Sequence, residues 1–310
     1  MRRAFCKHTH PVWSQALSLT LPSPLVRDFM GHAATPTFTG RALLENYPGL
    51  FHDLWTLDSN FFLLATGLPR WIPIPRLPTA HIARRRLLAH FAAFHVALSQ
   101  YAHGDDPGAA WRDLSDVSPA LLAGQAAFVA HDVPLAARAA SDMGLVWAMN
   151  ANANALAFWL LLRIVSTPGL AARVRAETAA YARAEQPERA FGLPEPARLR
   201  LDVEGLWRRC GLLKSCYVET LRLDSTPFSV KRMKADLRVT EGVEDAVGAR
   251  PETWVLREGE YVDVPYHLHH TDVRYFIDPE KWVPERHLRS VEGKEGVKTA
   301  EWGSVRAYGE

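Results

Sequence analysis

Residues 135–167 read Leu135-AARAASDMGLVWAMNANANALAFWLLLRIVS-Thr167, with Pro134 before them and Pro168-Gly169 after. Proline suits the first turn of a helix and a Pro-Gly pair stops one. Inside the bracket there is no proline and a single glycine, Gly144. The spacing predicts one continuous helix, about 50 Å long at about 1.5 Å per residue, enough to cross a whole domain. From Met143 to Leu162 it carries no charge, yet Asn150, Asn152 and Asn154 alternate along it. Asparagine prefers caps and turns to helix interiors, so these three require polar partners. The same span is long enough to cross a bilayer, but buried amides without partners are costly in hydrocarbon. The helix is therefore read as a core element.

The totals agree. A chain of 310 residues, 48% hydrophobic and 23% charged, has the composition of a soluble globular protein with a sizeable core. A net charge of +2, with the basic residues dispersed, gives no nucleic-acid footprint. Cys6, Cys210 and Cys216 form no CxxC pair and no metal-type spacing, which fits reduced thiols. Met1 to Thr20 lacks the continuous apolar core of a signal peptide. With no anchor in the sequence, the chain as it stands is expected in the cytoplasm.

Outward from the long helix, residues 1–13 read as irregular and Ser14–His32 as a mainly apolar helical segment interrupted by Pro22 and Pro24. Leu43–Thr66 reads as two helices around Pro48-Gly49. Leu68–Pro78, with Pro69, Pro73, Pro75 and Pro78, reads as a stiff extended loop. Thr79–Tyr101 is helical, and its Arg84, Arg85 and Arg86 read as a solvated face. Ser118-Pro119 places an N-cap and an N1 proline in the preferred order, starting a helix to about His131. Beyond the long helix come a helix over Leu170–Glu185, a connector over Gln186–Arg200 and a helix over Val203–Leu223. Phe228–Val264 then turns to strands, with a hairpin expected over Trp254–Val264 around Gly259. From Trp282 onward the sequence reads as loop. The fold class is mainly α with a small β region, built round the long central helix.

Two further stretches carry a resemblance. Glu219-Thr-Leu-Arg222 puts a carboxylate and a guanidinium on one helix face, a weak signal alone because such pairs are common on exposed helices. Farther on stands Tyr275-Phe-Ile-Asp278-Pro279-Glu-Lys-Trp282-Val-Pro284-Glu285-Arg286. Together with the long helix and Pro168, in this order, they resemble the cytochrome P450 family of haem-thiolate monooxygenases. Trp147-AMNA-Asn152, with Phe158-Trp159 downstream, is most similar to the branch containing prostacyclin synthase and the sterol 7α-hydroxylases. The resemblance covers the chain from about Leu25 onward and implies a single partial P450 domain over residues 1–310.

The resemblance implies haem as cofactor, with Glu219, Arg222 and Arg286 as a buried structural triad. Asn152 takes the place of the family's threonine on the oxygen side of the haem and is the implied catalytic residue. Its amide hydrogen-bonds but does not ionise. Ala148, Asn152 and Ala155 share one face at i, i+4 and i+7, a low groove over which a flat macrocycle could lie, while Asn150 and Asn154 point away. Lys231 and Arg232 fall where the family holds a haem propionate, and Thr226, Phe228 and Ser229 where it contacts substrate. His267, His269 and His270 have no carboxylate at ligand spacing and are read as a turn, not a metal site.

The sequence departs from the family at its end. Trp302-Gly-Ser-Val-Arg-Ala-Tyr308-Gly309-Glu310 stands where a glycine-rich loop with the iron-binding cysteine would begin. None of Cys6, Cys210 and Cys216 lies in such a context, so no metal ligand is assigned. The family's membrane anchor and first helices have no counterpart either. The expectation is a truncated gene product, inactive as given. Its parent would be a monomeric monooxygenase of secondary or lipid metabolism at the endoplasmic reticulum membrane. It would insert one oxygen atom from O2 into a hydrophobic substrate, with electrons from NADPH through NADPH-cytochrome P450 reductase. Two alternatives stay open: peroxide isomerisation of the prostacyclin synthase type, and a non-catalytic remnant that binds a lipophilic ligand or a partner.

Overall fold

The computed structural model describes residues 23–186, 196–225, 228–243, 250–291 and 298–306. Its chain divides into two compact units, Met1–Phe158 and Trp159–Glu310. The expectations for residues 1–13 and Ser14–Pro22 lie outside the described residues.

The first unit is helical: α1 (Ser23–Thr39), α2 (Ala42–Asn46), α3 (Leu50–Ser59), α4 (Phe61–Ala65), α5 (Arg76–His103), a 3-10 turn at Ala109–Trp111, α6 (Pro119–Ala130) and the start of α7 (Leu135–Ser166). The two helices expected over Leu43–Thr66 are three, because Asn60 leaves helical geometry at φ −121° and ψ 15°. The extended loop expected to reach Pro78 ends earlier, since α5 begins at Arg76. Pro78 therefore sits in the first turn of α5, where its missing N–H has no intrahelical partner to lose. At α6 the cap is as the sequence indicates: Ser118 Oγ accepts from Leu121 N at 3.2 Å.

The apolar stripe of α5, from Leu87 through Phe91 and Phe94 to Leu98, packs with Leu43, Leu50 and Leu54 and with Ala139 and Val146 of α7. One buried polar chain crosses this core. His95 Nδ1 is hydrogen-bonded to Gln125 Oε1 at 2.6 Å, which ties α5 to α6, and its Nε2 faces Asp142 Oδ2 of α7 at 2.9 Å without hydrogen-bond geometry. By length and composition α7 could cross a membrane, and only 17% of its most apolar window is buried in protein, so the expected core helix is buried along one side, at Ala139, Asp142, Val146 and Asn150 among others, and open along the rest.

The second unit holds the end of α7, then α8 (Leu170–Thr178), β1 (Ala182–Glu185), β2 (Arg198–Leu201), α9 (Val203–Arg209), α10 (Gly211–Asp224), β3 (Phe228–Arg232), β4 (Leu237–Thr240), β5 (Thr253–Leu256), β6 (Tyr261–Pro265), α11 (Tyr266–His270), β7 (Leu288–Ser290) and β8 (Lys298–Ala300). Four expectations need correcting. The helix over Leu170–Glu185 stops at Thr178, because Ala182–Glu185 pairs antiparallel with Arg198–Leu201, inside the expected connector; pairing with a partner strand overrides alanine's helix preference. The helix over Val203–Leu223 breaks at Cys210 (φ −95°, ψ 73°). At that break Gly211 lets another backbone come close: a Cβ there would meet Lys298 O at 2.7 Å.

The hairpin expected over Trp254–Val264 does not pair with itself. β5 pairs with β4 and β6 with β3, so Gly259, at φ 88°, turns the chain between two sheets. The loop expected from Trp282 onward contains the antiparallel pair β7–β8. His267, His269 and His270, read as a turn, form the last turn of the short helix α11. Packing in this unit centres on Ile164, Leu170, Leu212 and Cys216, with Trp282 and Leu288 against them.

Candidate functional site

In the second unit, helix α10 buries Glu219 and Arg222 completely, and their i, i+3 spacing is used in full. Arg222 Nε and Nη2 donate to the two carboxylate oxygens of Glu219 at 2.9 and 2.8 Å. Arg286 Nε donates to Glu219 Oε1 at 2.9 Å, and the backbone of Val283 at 3.0 Å. Glu219, Arg222 and Arg286 are thus brought together around one carboxylate. The guanidinium groups then reach outward. Arg222 Nη1 donates to the carbonyls of His270 and Pro279, each at 2.6 Å. Arg286 donates to the carbonyls of Ile277 at 2.5 Å and Lys281 at 2.9 Å. Planar forks of this kind fix geometry as well as charge.

A fourth member, His287, was not legible. Its Nε2 lies 3.0 Å from Glu219 Oε2, and its backbone N–H donates to Ser215 Oγ at 3.2 Å. Its place beside Arg286 is the only sequence signal that could have suggested it. Burial pushes the Glu219 carboxyl up, but the bonds from Arg222, His287 and Arg286 outweigh it and hold the group down at about 2. The carboxylate is therefore ionised at any working pH, and its chemistry is architectural.

On α7, within the first unit, the three asparagines separate by face. Asn150 and Asn154 are buried, whereas Ala148, Asn152 and Ala155 are exposed together. Asn150 Nδ2 donates to Val146 O at 2.8 Å and to Thr35 Oγ1 at 3.1 Å, so it ties α7 to α1. Asn152 carries its amide on the open, small-residue face. Nearby, α3, α4, α5 and α7 enclose a groove of about 350 Å³, lined by Leu57, Phe61, Leu64, Arg84, Gly144 and Trp147 among others. Trp147 is fixed in its wall, donating to Asp58 Oδ1 at 2.9 Å and stacking on Phe61 with ring centroids 4.5 Å apart. The volume lies in the range of small-molecule pockets.

The remaining expected residues are less concentrated. Lys231 and Arg232 are exposed on β3, opposite Val262 and Tyr261 of β6. As neighbours on a strand they point to opposite faces, so only one of them can serve a given anionic group. Ser229 is half-buried on the same strand. Thr226 and the side chain of Phe228 lie outside the described residues, as does Cys6.

The described cysteines do not fit a thiolate ligand to haem iron. Cys216 is fully buried, and burial, with Glu285 and Glu177 beside it, pushes its thiol up to about 12. Burial and then Glu177 also raise the thiol of Cys210. Metal ligation needs the deprotonated form. The histidines do not gather either: His269 Nε2 meets Ser304 O at 2.7 Å, while His270 Nε2 accepts from Arg306 N at 3.0 Å. Among the described residues no cluster of three or more His, Cys, Asp or Glu could hold a metal.

No family model matches the chain. Among curated proteins, cytochrome P450 monooxygenase efuG of Hormonema carpetanum is 25% identical over 252 residues, covering 81% of this chain and 40% of the relative. Cytochrome P450 monooxygenase fsoE of Humicola fuscoatra is 29% identical over 210 residues, covering 67% and 34%. The eburicol 14-alpha-demethylase of Penicillium italicum is 25% identical over 272 residues, covering 84% and 45%. The chain thus spans less than half the length of these relatives. The structure of retinoic acid-bound cyanobacterial CYP120A1 matches with a TM-score of 0.54 at 18% identity, covering 85% of this chain and 51% of that one. The fold is that of the cytochromes P450, and the relatives support that family for this chain.

Proposed function

We propose that this chain belongs to a P450-type monooxygenase that inserts one oxygen atom from O2 into a hydrophobic organic substrate. The observation that carries the reading is the Glu219–Arg222–Arg286 cluster on a P450 fold, in the order and spacing that resemble the family. The apolar groove at Trp147 and Phe61 supports a lipophilic substrate. In the family, bound haem supplies the oxidising chemistry. No described cysteine is fit to hold its iron, so the roles assigned here are those of this chain's own residues. Asn152 presents an amide that can hold an oxygen atom or a water by hydrogen bonding. Either Lys231 or Arg232, not both, offers a cation for a propionate. Electrons would come from NADPH through a reductase, and the parent protein would sit at the endoplasmic reticulum. An amide in place of the family's threonine also favours placement near the prostacyclin synthase and sterol 7α-hydroxylase branch, where peroxide isomerisation is the second reading.

Two measurements test this. Titrated with haem, the chain should fail to give the thiolate-type band on reduction under carbon monoxide; such a band would sink the ligand assignment. In the gene product that contains this sequence and turns over, Asn152→Ala should uncouple NADPH consumption from product formation. If N152A leaves the coupling unchanged, Asn152 has no role in oxygen handling.

A further inference from the structure

The groove at Trp147 has apolar walls and, among its described lining residues, one charged group. Phe61 and Trp147 stack there with ring centroids 4.5 Å apart, Leu57 and Leu64 add to the apolar lining, and Arg84 of α5 supplies the charge. Between Ser59 and Gly104 the sequence has no Asp or Glu, so no carboxylate stands one turn away from Arg84 on α5. Its side chain is exposed and makes no ion pair among the described residues. The acids of neighbouring α3 are engaged elsewhere. Asp53 accepts a hydrogen bond from Tyr47 and lies 3.8 Å from Arg86, while Asp58 Oδ1 accepts from Trp147 Nε1 at 2.9 Å.

The groove also has a direction. Gly144 lines it, and a Cβ there would meet nothing within 4 Å. Gly144, Ala148 and Asn152 follow at i, i+4 and i+8 on one ridge of α7, about 12 Å from end to end at about 1.5 Å per residue. Glycine and alanine keep that ridge low between the groove and the open amide of Asn152. In an apolar pocket a few placed polar groups set the orientation of the occupant, and a planar guanidinium pairs with a carboxylate through two parallel hydrogen bonds. We propose that the substrate is a lipophilic carboxylic acid. Arg84 holds its carboxylate, Phe61, Leu64 and Trp147 enclose its chain, and the far end points along α7 toward Asn152. The proposal rests on the groove being the substrate site, and adds the charge and the orientation of the molecule that fills it.

Isothermal titration calorimetry of the chain with decanoate, decanol and decylammonium at neutral pH, each below its micelle concentration, tests it with no need of haem or turnover. Decanoate should bind about 10-fold more tightly than decanol, with decylammonium weakest. R84Q should remove that margin and leave decanol binding unchanged, whereas R84E should favour decylammonium over decanoate. G144L, which fills the groove, should weaken decanoate and decanol alike. Absence of decanoate binding, decanol binding as tightly as decanoate, an equal loss of both in R84Q, or G144L leaving both unchanged would each overturn the proposal. Decanoate binding in the expected pattern, in a gene product that oxidises no substrate, would sink the monooxygenase reading and leave the acid site standing.

Discussion

Replacing Glu219 with glutamine changes one charge and almost no volume, yet it should be among the most damaging substitutions in the chain. Glu219 is fully buried and neutralises guanidinium groups on Arg222 and Arg286, at 2.8 and 2.9 Å. With the carboxylate gone, Arg222 remains fully buried as an uncompensated cation, and breaking a buried pair in this way costs about 3–5 kcal/mol. The carboxyl itself gives an independent figure. It is displaced from 4.5 to about 2, which corresponds to about 3 kcal/mol of differential stabilisation of the ionised form. Because the folded value is depressed, this stability is fully present above pH 4.5 and is lost as the pH falls toward 2. Urea unfolding followed by circular dichroism should therefore show E219Q less stable by about 3–5 kcal/mol at pH 7, with the gap to wild type closing below pH 4.5. An E219Q protein within about 1 kcal/mol of wild type at pH 7, or a gap that does not narrow in acid, would refute the assignment.

Other outcomes follow from the same geometry. Burial, then the charges of His269 and Arg222, holds His270 down at about 4 from 6.5, so its contribution is fully present above pH 6.5 and lost as the pH falls toward 4. The stability of wild type should decline over that interval by more than that of H270N, and parallel pH profiles would contradict it. Gly144 is helical and a Cβ there meets nothing within 4 Å, so Gly144→Ala should stabilise α7 by about 0.5–1 kcal/mol; a drop in melting temperature would count against the open space. Neither Cys210 nor Cys216 should react with iodoacetamide at pH 8 in the native protein, and both should react after denaturation. Mass spectrometry of the labelled protein reads the difference.

Local chemistry was the part of this fold that the sequence disclosed. Pro134 and Pro168-Gly169 bracket α7, Ser118-Pro119 starts α6, and Glu219 and Arg222 meet at helical spacing because each signal lies within a few residues of its effect. The misses share a different cause. Ala182–Glu185 became a strand because of a partner at Arg198–Leu201. The helix broke at Cys210, where Gly211 admits the backbone of Lys298, and β5 and β6 each found a strand other than the expected neighbour. His287 joined the Glu219 cluster through a bond across 68 residues of sequence. In the site the contrast is the same: the alternation of Asn150, Asn152 and Asn154 is local and readable, whereas the groove at Trp147 needs four helices to exist.

The two arginines of the Glu219 cluster hold the segment from His270 to Lys281 almost entirely by its carbonyl oxygens. A grip on the main chain is blind to side-chain identity. Residues such as Ile277 and Glu280, both exposed, are therefore free to drift over evolutionary time without loosening the segment's path. That path is written elsewhere, in Arg222 and Arg286, so the shape of the loop can outlast its own sequence.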